Sequence, residues 1–508
     1  LNFPRSADGA NSYGFGLVIQ GGDSAITTVG LGTVNSWGAM SVEGGRLAID
    51  ELTIGWQQTA NRGGQARVLG GELVVDQLVM SRKNGSNANN IAELHLLGGI
   101  TTLERLTLGY DADVNAGSAT INLNGGALFV GAGGIVRHGV APFATAINLI
   151  DGTLGAKDDW ASGVAFNLAS DNTVAIHTAD AANVPHNLTL VGVIGGAGGF
   201  TKTGDGTLML AGANTFTGSV AIDAGTLLVT GSLAAGGDVT INTGGALAGS
   251  GTIEKTIVLN GGTLAPDGST AAAAVTWNPG SLLAFRVGAN GVSDQLALSG
   301  ALTRGGSGTF PIALSPAIGF AAGNTYTLAT FGSTDFAASD FTAVGLPAGH
   351  LAIFSITDTS LQVTIKAAAS LTLGNLTQAY DGTPKSASAT TTPAGLAITL
   401  NYDGNTTPPT LPGRYAVTAT IDDPAYVGSA SGTLVITVTA LVRHAPTLNG
   451  DIEGSVQVLL PENVTFNSGA LISGDLLVPG TPAIQLNGSP TYGSTLDQSG
   501  AATPASHR

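Results

Sequence analysis

The 508-residue chain has no cysteine, and only 10% of its residues are charged, against roughly 25% in an ordinary globular protein. Without cysteine there is no disulfide, no thiolate metal site and no cysteine nucleophile. Basic residues are the scarcer sign: 18 Lys and Arg stand against 34 Asp and Glu, a net charge of −16. Nucleic-acid binding needs Lys and Arg to neutralise phosphates, so no nucleic-acid partner is expected, and anionic membrane surfaces are disfavoured for the same reason. The carboxylates are scattered rather than blocked, which points to solubility. No apolar run reaches the ~18 residues of a membrane-spanning helix, so no transmembrane segment is expected. Leu1 is not an initiator methionine, and no charged and then apolar leader follows it. The expectation is a processed N-terminus or a piece of a longer chain.

What the chain has is glycine, 76 residues of it, and 43% hydrophobic residues, too many for a disordered segment. Gly, Ala, Thr, Ser, Asn, Leu and Val dominate, a composition that makes short strands joined by tight turns. Three segments align without gaps: Gly44-Gly45-Arg46-Leu47 through Leu52-Thr53-Ile54-Gly55-Trp56, Gly70-Gly71-Glu72-Leu73 through Leu78-Val79-Met80-Ser81-Arg82, and Gly98-Gly99-Ile100-Thr101 through Leu106-Thr107-Leu108-Gly109-Tyr110. Gly-x-Leu turns follow at Gly126/Leu128, Gly152/Leu154, Gly225/Leu227, Gly245/Leu247 and Gly262/Leu264. The step is about 26 to 28 residues early and about 17 to 20 later, the length of one β-helix coil. Leu52 and Ile54, or Leu106 and Leu108, alternate with polar residues, so one face of each strand points inward. One coil cannot bury its own apolar face, whereas stacked coils at ~4.8 Å spacing can. Residues from about 10 to 365 predict on the order of 15 coils and a rod about 70 Å long. Asn122, Asn124 and Asn260 precede the glycines; stacked in register, such residues predict an Asn ladder or, less directly, a glycan contact.

The fold class predicted is all-β: a parallel β-helix (solenoid), a small Ig-like β-sandwich and the start of a second β-solenoid. The expected domains are 1–274, the Gly-rich coils; 275–366, a terminal capping part with Phe310, Phe320, Phe331, Phe336, Phe341 and Phe354; 370–439, the sandwich, with strand signals such as Leu396–Leu400 and Thr433–Val438 between Pro-rich turns; and 440–508, a second short-coil solenoid, expected to be incomplete. The second solenoid is read from Leu448-Asn449-Gly450, Phe466-Asn467-Ser468-Gly469 and Leu486-Asn487-Gly488, spaced by 18 and then 20 residues.

Residues 198–227 read Gly-Gly-Phe200-Thr-Lys202-Thr-Gly-Asp-Gly-Thr-Leu-Met-Leu-Ala-Gly-Ala-Asn214-Thr-Phe216-Thr-Gly, then Ala224-Gly225-Thr226-Leu227. This resembles the autotransporter-associated β-strand repeat, which implies a right-handed β-helix in an exported, passenger-like surface protein. Tyr380-Asp381-Gly382-Thr383-Pro384-Lys385, Tyr402-Asp403-Gly404, Pro412-Gly413-Arg414-Tyr415 and Asp423-Pro424-Ala425-Tyr426-Val427-Gly428 resemble the Ig-like MBG (YDG) domain, which implies a spacer in adhesin-like proteins. A conventional autotransporter ends in a membrane β-barrel with an aromatic last residue. This chain ends Ser506-His507-Arg508, so its anchor is expected elsewhere.

No phosphate-binding Gly-x-Gly-x-x-Gly, nucleophile elbow or His-Glu-x-x-His occurs. A polysaccharide-cleaving β-helix needs converging carboxylates; Asp158 and Asp159, with Asp151, Asp171, Lys157 and Trp160, are the best local group, otherwise a solvated loop. His177 and His186 are the nearest histidine pair for a metal, and Asp111 and Asp113 for Ca²⁺. Trp37, Trp56, Tyr110 and Trp160 form a glycan platform or pack at coil edges. No catalytic, cofactor or metal residue is assigned and no cofactor is expected. The function expected is a non-enzymatic extracellular scaffold, an adhesin-like rod on the bacterial outer envelope. The alternatives are a self-assembling fibre or sheath subunit joined end to end and, more remotely, a polysaccharide-active enzyme. Partners expected are the chain itself, through strand edges, or cell-surface glycans or other cells.

Overall fold

The alternating Leu and Ile positions of the early repeats become strands stacked in parallel register, coil upon coil. Leu52, Leu78 and Leu106 share one position, Ile54, Met80 and Leu108 another, and Ile49, Val75, Leu103 and Val130 a third. All are buried, and each such side chain stabilises the stack by about 1.5–3 kcal/mol through apolar area removed from water. The computed structural model describes residues 2–3, 16–32, 37–57, 63–83, 90–110, 114–169, 173–474, 476–480, 483–488 and 491–492. Its strands and turns fall into two compact units, residues 1–321, 325–347 and 352–364 in one, 322–324, 348–351 and 365–508 in the other.

The first unit is a three-faced parallel β-helix. Its first face runs through Leu17–Ile19, Gly38–Val42, Gly63–Val68 and Ile91–Leu96 and on to Phe166–Leu168 and Ile194–Gly196. Its second face starts with Asp23–Leu31, Arg46–Gln57, Glu72–Lys83 and Ile100–Leu108. In these early coils the strand bends once and continues as the third face. From Trp160–Ser162 onward the third face is a separate 9-stranded parallel sheet ending at Phe341–Val344.

The repeat step shortens for a local reason. Between third face and next first face the chain runs from Gln57 to Gly63 in an early coil, but only from Leu210 to Ala213 in a later one. The Gly-x-Leu motif also changes corner. Gly45, Gly71, Gly126 and Gly152 turn the chain from first to second face, whereas Gly225 and Gly245 turn it from second to third. Gly71 has φ +70°, and a Cβ there would lie 2.3 Å from the Gly45 oxygen of the coil before, so only glycine fits so tight a turn.

The Asn residues before these turns stack as the spacing predicts. Asn148 Nδ2 donates to Asn122 Oδ1 (2.8 Å) and Asn167 Nδ2 to Asn148 Oδ1 (3.1 Å), with His95 Nδ1 3.2 Å from Asn122 Nδ2. A second run joins Asn260 to Asn242 and Asn242 to Asp223.

The strand Ser269–Trp277 runs straight across residue 275, and parallel stacking continues beyond it. What changes there is that several aromatic side chains come together in the interior. Trp277, Phe310, Phe336 and Phe341 pack with centroids 4.8–5.9 Å apart, and Phe354 lies 5.6 Å from Phe341. Each such pair contributes about 0.5–1.5 kcal/mol beyond its buried area. Thr325–Thr330 then pairs antiparallel with Ser360–Ala368, breaking the parallel stacking rule at this end.

The second unit begins with two small sheets, antiparallel except where Thr377–Ala379 pairs parallel with Ser429–Val442. Ser370–Gly374 pairs with Ser388–Thr392, while Ile398–Tyr402, Gly413–Ile421 and Ser429–Val442 form a second sheet. Ala387, Tyr402, Val417, Leu434 and Ile436 fill the core, and the Ala387 N–H donates to the Tyr402 hydroxyl at 2.9 Å. The strand Ser429–Val442 does two jobs. Its first half pairs antiparallel with Gly413–Ile421, and its second half pairs parallel with Gly454–Val458 as the first strand of a slim second solenoid. That solenoid has its own core around Val456, Val464, Phe466, Ile472 and Leu476. It also has its own ladder, Asn449–Asn467–Asn487.

Candidate functional site

The sharpest sequence motif, residues 198–227, folds into about one and a half coils, with Phe200 stacked under Val220 and Leu208 under Leu227, and its signature side chains point inward. In the strand Phe200–Thr203 alternation turns Phe200 and Lys202 to the interior and Thr201 and Thr203 outward. Phe216 packs edge-on against Phe200 with centroids 5.6 Å apart. Lys202 is fully buried, a position a lysine occupies only when its charge is met. Its Nζ donates to the carbonyl oxygens of Thr203 (3.1 Å), Gly204 (2.7 Å) and, one coil on, Ala224 (2.8 Å). Burial pushes its pKa down to about 8, with the Asp205 carboxylate opposing, so the ammonium is charged at neutral pH. Asn214, also buried, accepts from the Ile194 N–H (2.9 Å) and donates to Gly212 O (3.0 Å) and Ser232 O (3.1 Å), tying three successive coils.

Lys255 extends the pattern. Its side chain runs down the interior, over the Phe216 ring at 5.1 Å, to donate to Gly218 O at 2.9 Å two coils below. Burial lowers its pKa as well. Sequence reasoning did not single out Lys255. The signal was there in parity: Lys255 stands at the same alternation phase as Ile253 and Ile257, both buried.

The candidate chemical groups are dispersed into structural contacts. Asp151 accepts from the Gly152 N–H (2.8 Å). Lys157 Nζ donates to Glu104 Oε2 (2.7 Å), two coils away. Asp159 accepts from the Asn187 N–H (2.7 Å) and side-chain amide (3.1 Å), which hold its carboxyl below the usual range. His186 Nδ1 lies 3.5 Å from Asp159, while His177 Nδ1 lies 3.0 Å from Thr203 Oγ1, on another face. Burial, and then the Lys202 charge, push the His177 pKa down. Trp160 is 4% exposed, so it packs in the corner and offers no platform to a glycan. Tyr110 is exposed, with the Arg82 guanidinium 4.1 Å above its ring. The Trp56 side chain and Asp111, Asp113 and Asp171 lie outside the described residues. Among the described residues no three metal-ligating side chains meet.

A stack of coils with its marked residues turned inward and short polar side chains outward is the construction of a β-helical surface domain. The comparisons agree. Residues 200–229 match the passenger-associated-transport-repeat, and residues 369–440 match the MBG domain. A stretch of 118 residues, 22% of this chain, is 37% identical to the extracellular serine protease of Serratia marcescens, covering 11% of that protein. A stretch of 123 residues, 23% of this chain, is 34% identical to the adhesin BmaC autotransporter of Brucella suis biovar 1 (strain 1330), covering 4% of that protein. The chain thus carries an autotransporter passenger repeat and an MBG domain, and its place is the outside of the cell, at the bacterial surface.

In the MBG domain the Tyr-Asp-Gly stretch builds a tight turn. Asp381 accepts from the Thr383 N–H (2.9 Å) and faces Lys385 Nζ at 2.6 Å. The Lys385 ammonium, with the Thr383 donors, holds its carboxyl well below the usual range. No helix among the described residues is long and apolar enough to cross a membrane.

Proposed function

We propose that the chain is a non-enzymatic, adhesin-like scaffold whose partners are surface glycans or other cells. The observation that carries this reading is the inward orientation of Phe200, Lys202, Asn214 and Phe216. The motif spends its buried side chains on holding coils together. The acidic group at Asp158 and Asp159 supports the same reading, since Lys157 and Asp159 already have partners. The adhesin relative supports it, and the protease relative shares too small a part of its length, 11%, to bring a protease activity with it.

The test is retention of bacteria displaying this chain on glycan-coated and cell-coated surfaces, beside bacteria displaying an unrelated passenger. The purified chain is assayed in parallel for sugar release from a polysaccharide panel. Retention without sugar release is expected. Sugar release abolished by Asp158→Asn or Asp159→Asn would replace the scaffold with an enzyme, and no retention on any surface would sink the adhesin reading.

A further inference from the structure

The corner from third face to next first face shrinks abruptly along the β-helix. It spans residues 138–143 after the strand Ser118–Arg137, but only 163–165 and 191–193 in the two coils that follow. At this step lies a cavity of about 720 Å³, to which these coils contribute Arg137 and Thr145, Gly163 and Ala165, and Val191 and Val193. Its size is within the ~300–1,000 Å³ of small-ligand sites. The floor is fixed by hydrogen bonds: buried Ser162 Oγ donates to Ile135 O (2.8 Å) and accepts from the Val164 N–H (3.1 Å), and the Val191 N–H donates to Ser162 O (2.9 Å). Above it the surface is apolar and uncovered. Val191 and Val193 are 55% and 42% exposed, and Gly163 has open space where a Cβ would stand. Arg137 is the one charged residue in the lining. Its Nε donates to Gly139 O (2.9 Å) and its Nη2 to Phe143 O (2.7 Å), both neutral acceptors, and Nη1 makes no hydrogen bond among the described residues. Arg46, Arg82, Arg286 and Arg304 each face a carboxylate; Arg137 faces none among the described residues.

We propose that this cavity is a binding site for a carboxylated sugar of a surface glycan. It deepens the scaffold reading and rests on it, naming the class of glycan and the place where it binds. The guanidinium supplies charge-assisted donors to the sugar carboxylate, the geometry in which arginine outperforms any other side chain. The Thr145 hydroxyl donates to or accepts from a ring hydroxyl, and Val191 and Val193 take the apolar C–H face of the ring. A neutral sugar leaves the guanidinium charge unanswered, and a simple aliphatic acid has no hydroxyls to pair. The net charge of −16 does not oppose this. Its carboxylates are scattered along the chain, and charges further off than the ~8 Å Debye length of physiological salt are largely screened, so an acidic sugar is met by the cation at the site. A single open subsite binds weakly, and many copies displayed on one cell act together on a glycan-covered surface.

The test is titration of the purified full chain, followed by saturation-transfer NMR, with trigalacturonic acid and with 3′-sialyllactose, two sources of a sugar carboxylate. Carboxyl-reduced trigalacturonic acid and lactose are their neutral counterparts. At least one acidic sugar is expected to bind at millimolar concentration, and which one does tells the two sources apart; its neutral counterpart is expected to bind about tenfold or more weakly, the worth of one hydrogen-bonded charge. Hexanoate is not expected to compete. Arg137→Gln is expected to lose the preference for the acid. Because Arg137 also ties the corner 138–143, Val193→Glu is the second variant: it sets a carboxylate on the exposed margin of the site, and is expected to abolish binding of the acidic sugar with the unfolding midpoint unchanged. Binding of neither acid, equal binding of the neutral counterparts, full competition by hexanoate, or binding undiminished in Val193→Glu would overturn the assignment. A chain that binds no acidic sugar yet still retains bacteria on surfaces would overturn this inference alone and leave the scaffold reading standing.

Discussion

Lys202 is the residue at which this fold departs furthest from an apolar core. Its charge costs desolvation, and three carbonyl acceptors offset it. Its folded pKa is about 8, against 10.5 for a free lysine. Between those two values the unfolded chain binds more protons than the folded one, so stability rises with pH across that window. Below about pH 8 the burial cost is present in full. Lys202→Met leaves the carbonyls of Thr203, Gly204 and Ala224 without their donor, which costs about 1–3 kcal/mol at pH 7. Its deficit relative to the parent chain is expected to widen from pH 7.5 to pH 10 by up to about 3 kcal/mol, because only the parent gains from losing the buried charge. Denaturant midpoints at the two pH values measure this; a constant or shrinking deficit would show that Lys202 titrates as it does in the unfolded chain.

At the scale of the coil, corners decide more than strands. Gly225 turns from second to third face at φ +65°, where an added Cβ would sit 2.4 Å from Gly206 O. Gly225→Ala is expected to cost about 2 kcal/mol or more through combined strain and overlap. Gly163→Ala, with open space around it and no left-handed backbone, is expected to stay within about 0.5 kcal/mol of the parent. Midpoints that did not separate the two would mean the corner relaxes freely. The strands and the glycine turns were legible in the sequence because period-two alternation and Gly-x-Leu spacing are local. Which corner each glycine turns was not, since Gly152 and Gly225 carry the same motif at different corners and only the stacking partner tells them apart. The Asn ladders were legible for the same local reason, as Asn122 and Asn260 sit just before their turns. Asp158 and Asp159 are adjacent in sequence, but adjacency says nothing of which partner each finds. They lie in the bend between the strands Ala144–Ala156 and Trp160–Ser162, where Asp159 is drawn to Asn187, a full coil away. Lys255 escaped notice because a charged side chain is not counted as core until its parity is followed.

At the scale of the whole molecule, the two units carry separate cores and separate spectroscopic reporters. All four tryptophans, Trp37, Trp56, Trp160 and Trp277, belong to the first unit, while Tyr380, Tyr402, Tyr415 and Tyr426 belong to the second. The second unit itself holds two cores joined by the strand Ser429–Val442. Phe466 fills one of them and is fully buried, so Phe466→Ala is expected to cost about 3–5 kcal/mol there. That loss exceeds what a slim solenoid of short coils can absorb, because each coil is held only by its neighbours. The expected result is an early phase in the far-ultraviolet circular dichroism transition with the tryptophan fluorescence transition unmoved, since non-coincident probes mark unfolding that is not all-or-none. Hydrogen exchange locates the break within the shared strand. Val438–Val442, paired with Gly454–Val458, is expected to lose protection, while Ser429–Ile436, paired with Gly413–Thr420 over its own core, keeps it. If the tryptophan transition moved together with the circular dichroism, the two units would be one cooperative block, and stability would have to be reckoned for the chain as a whole.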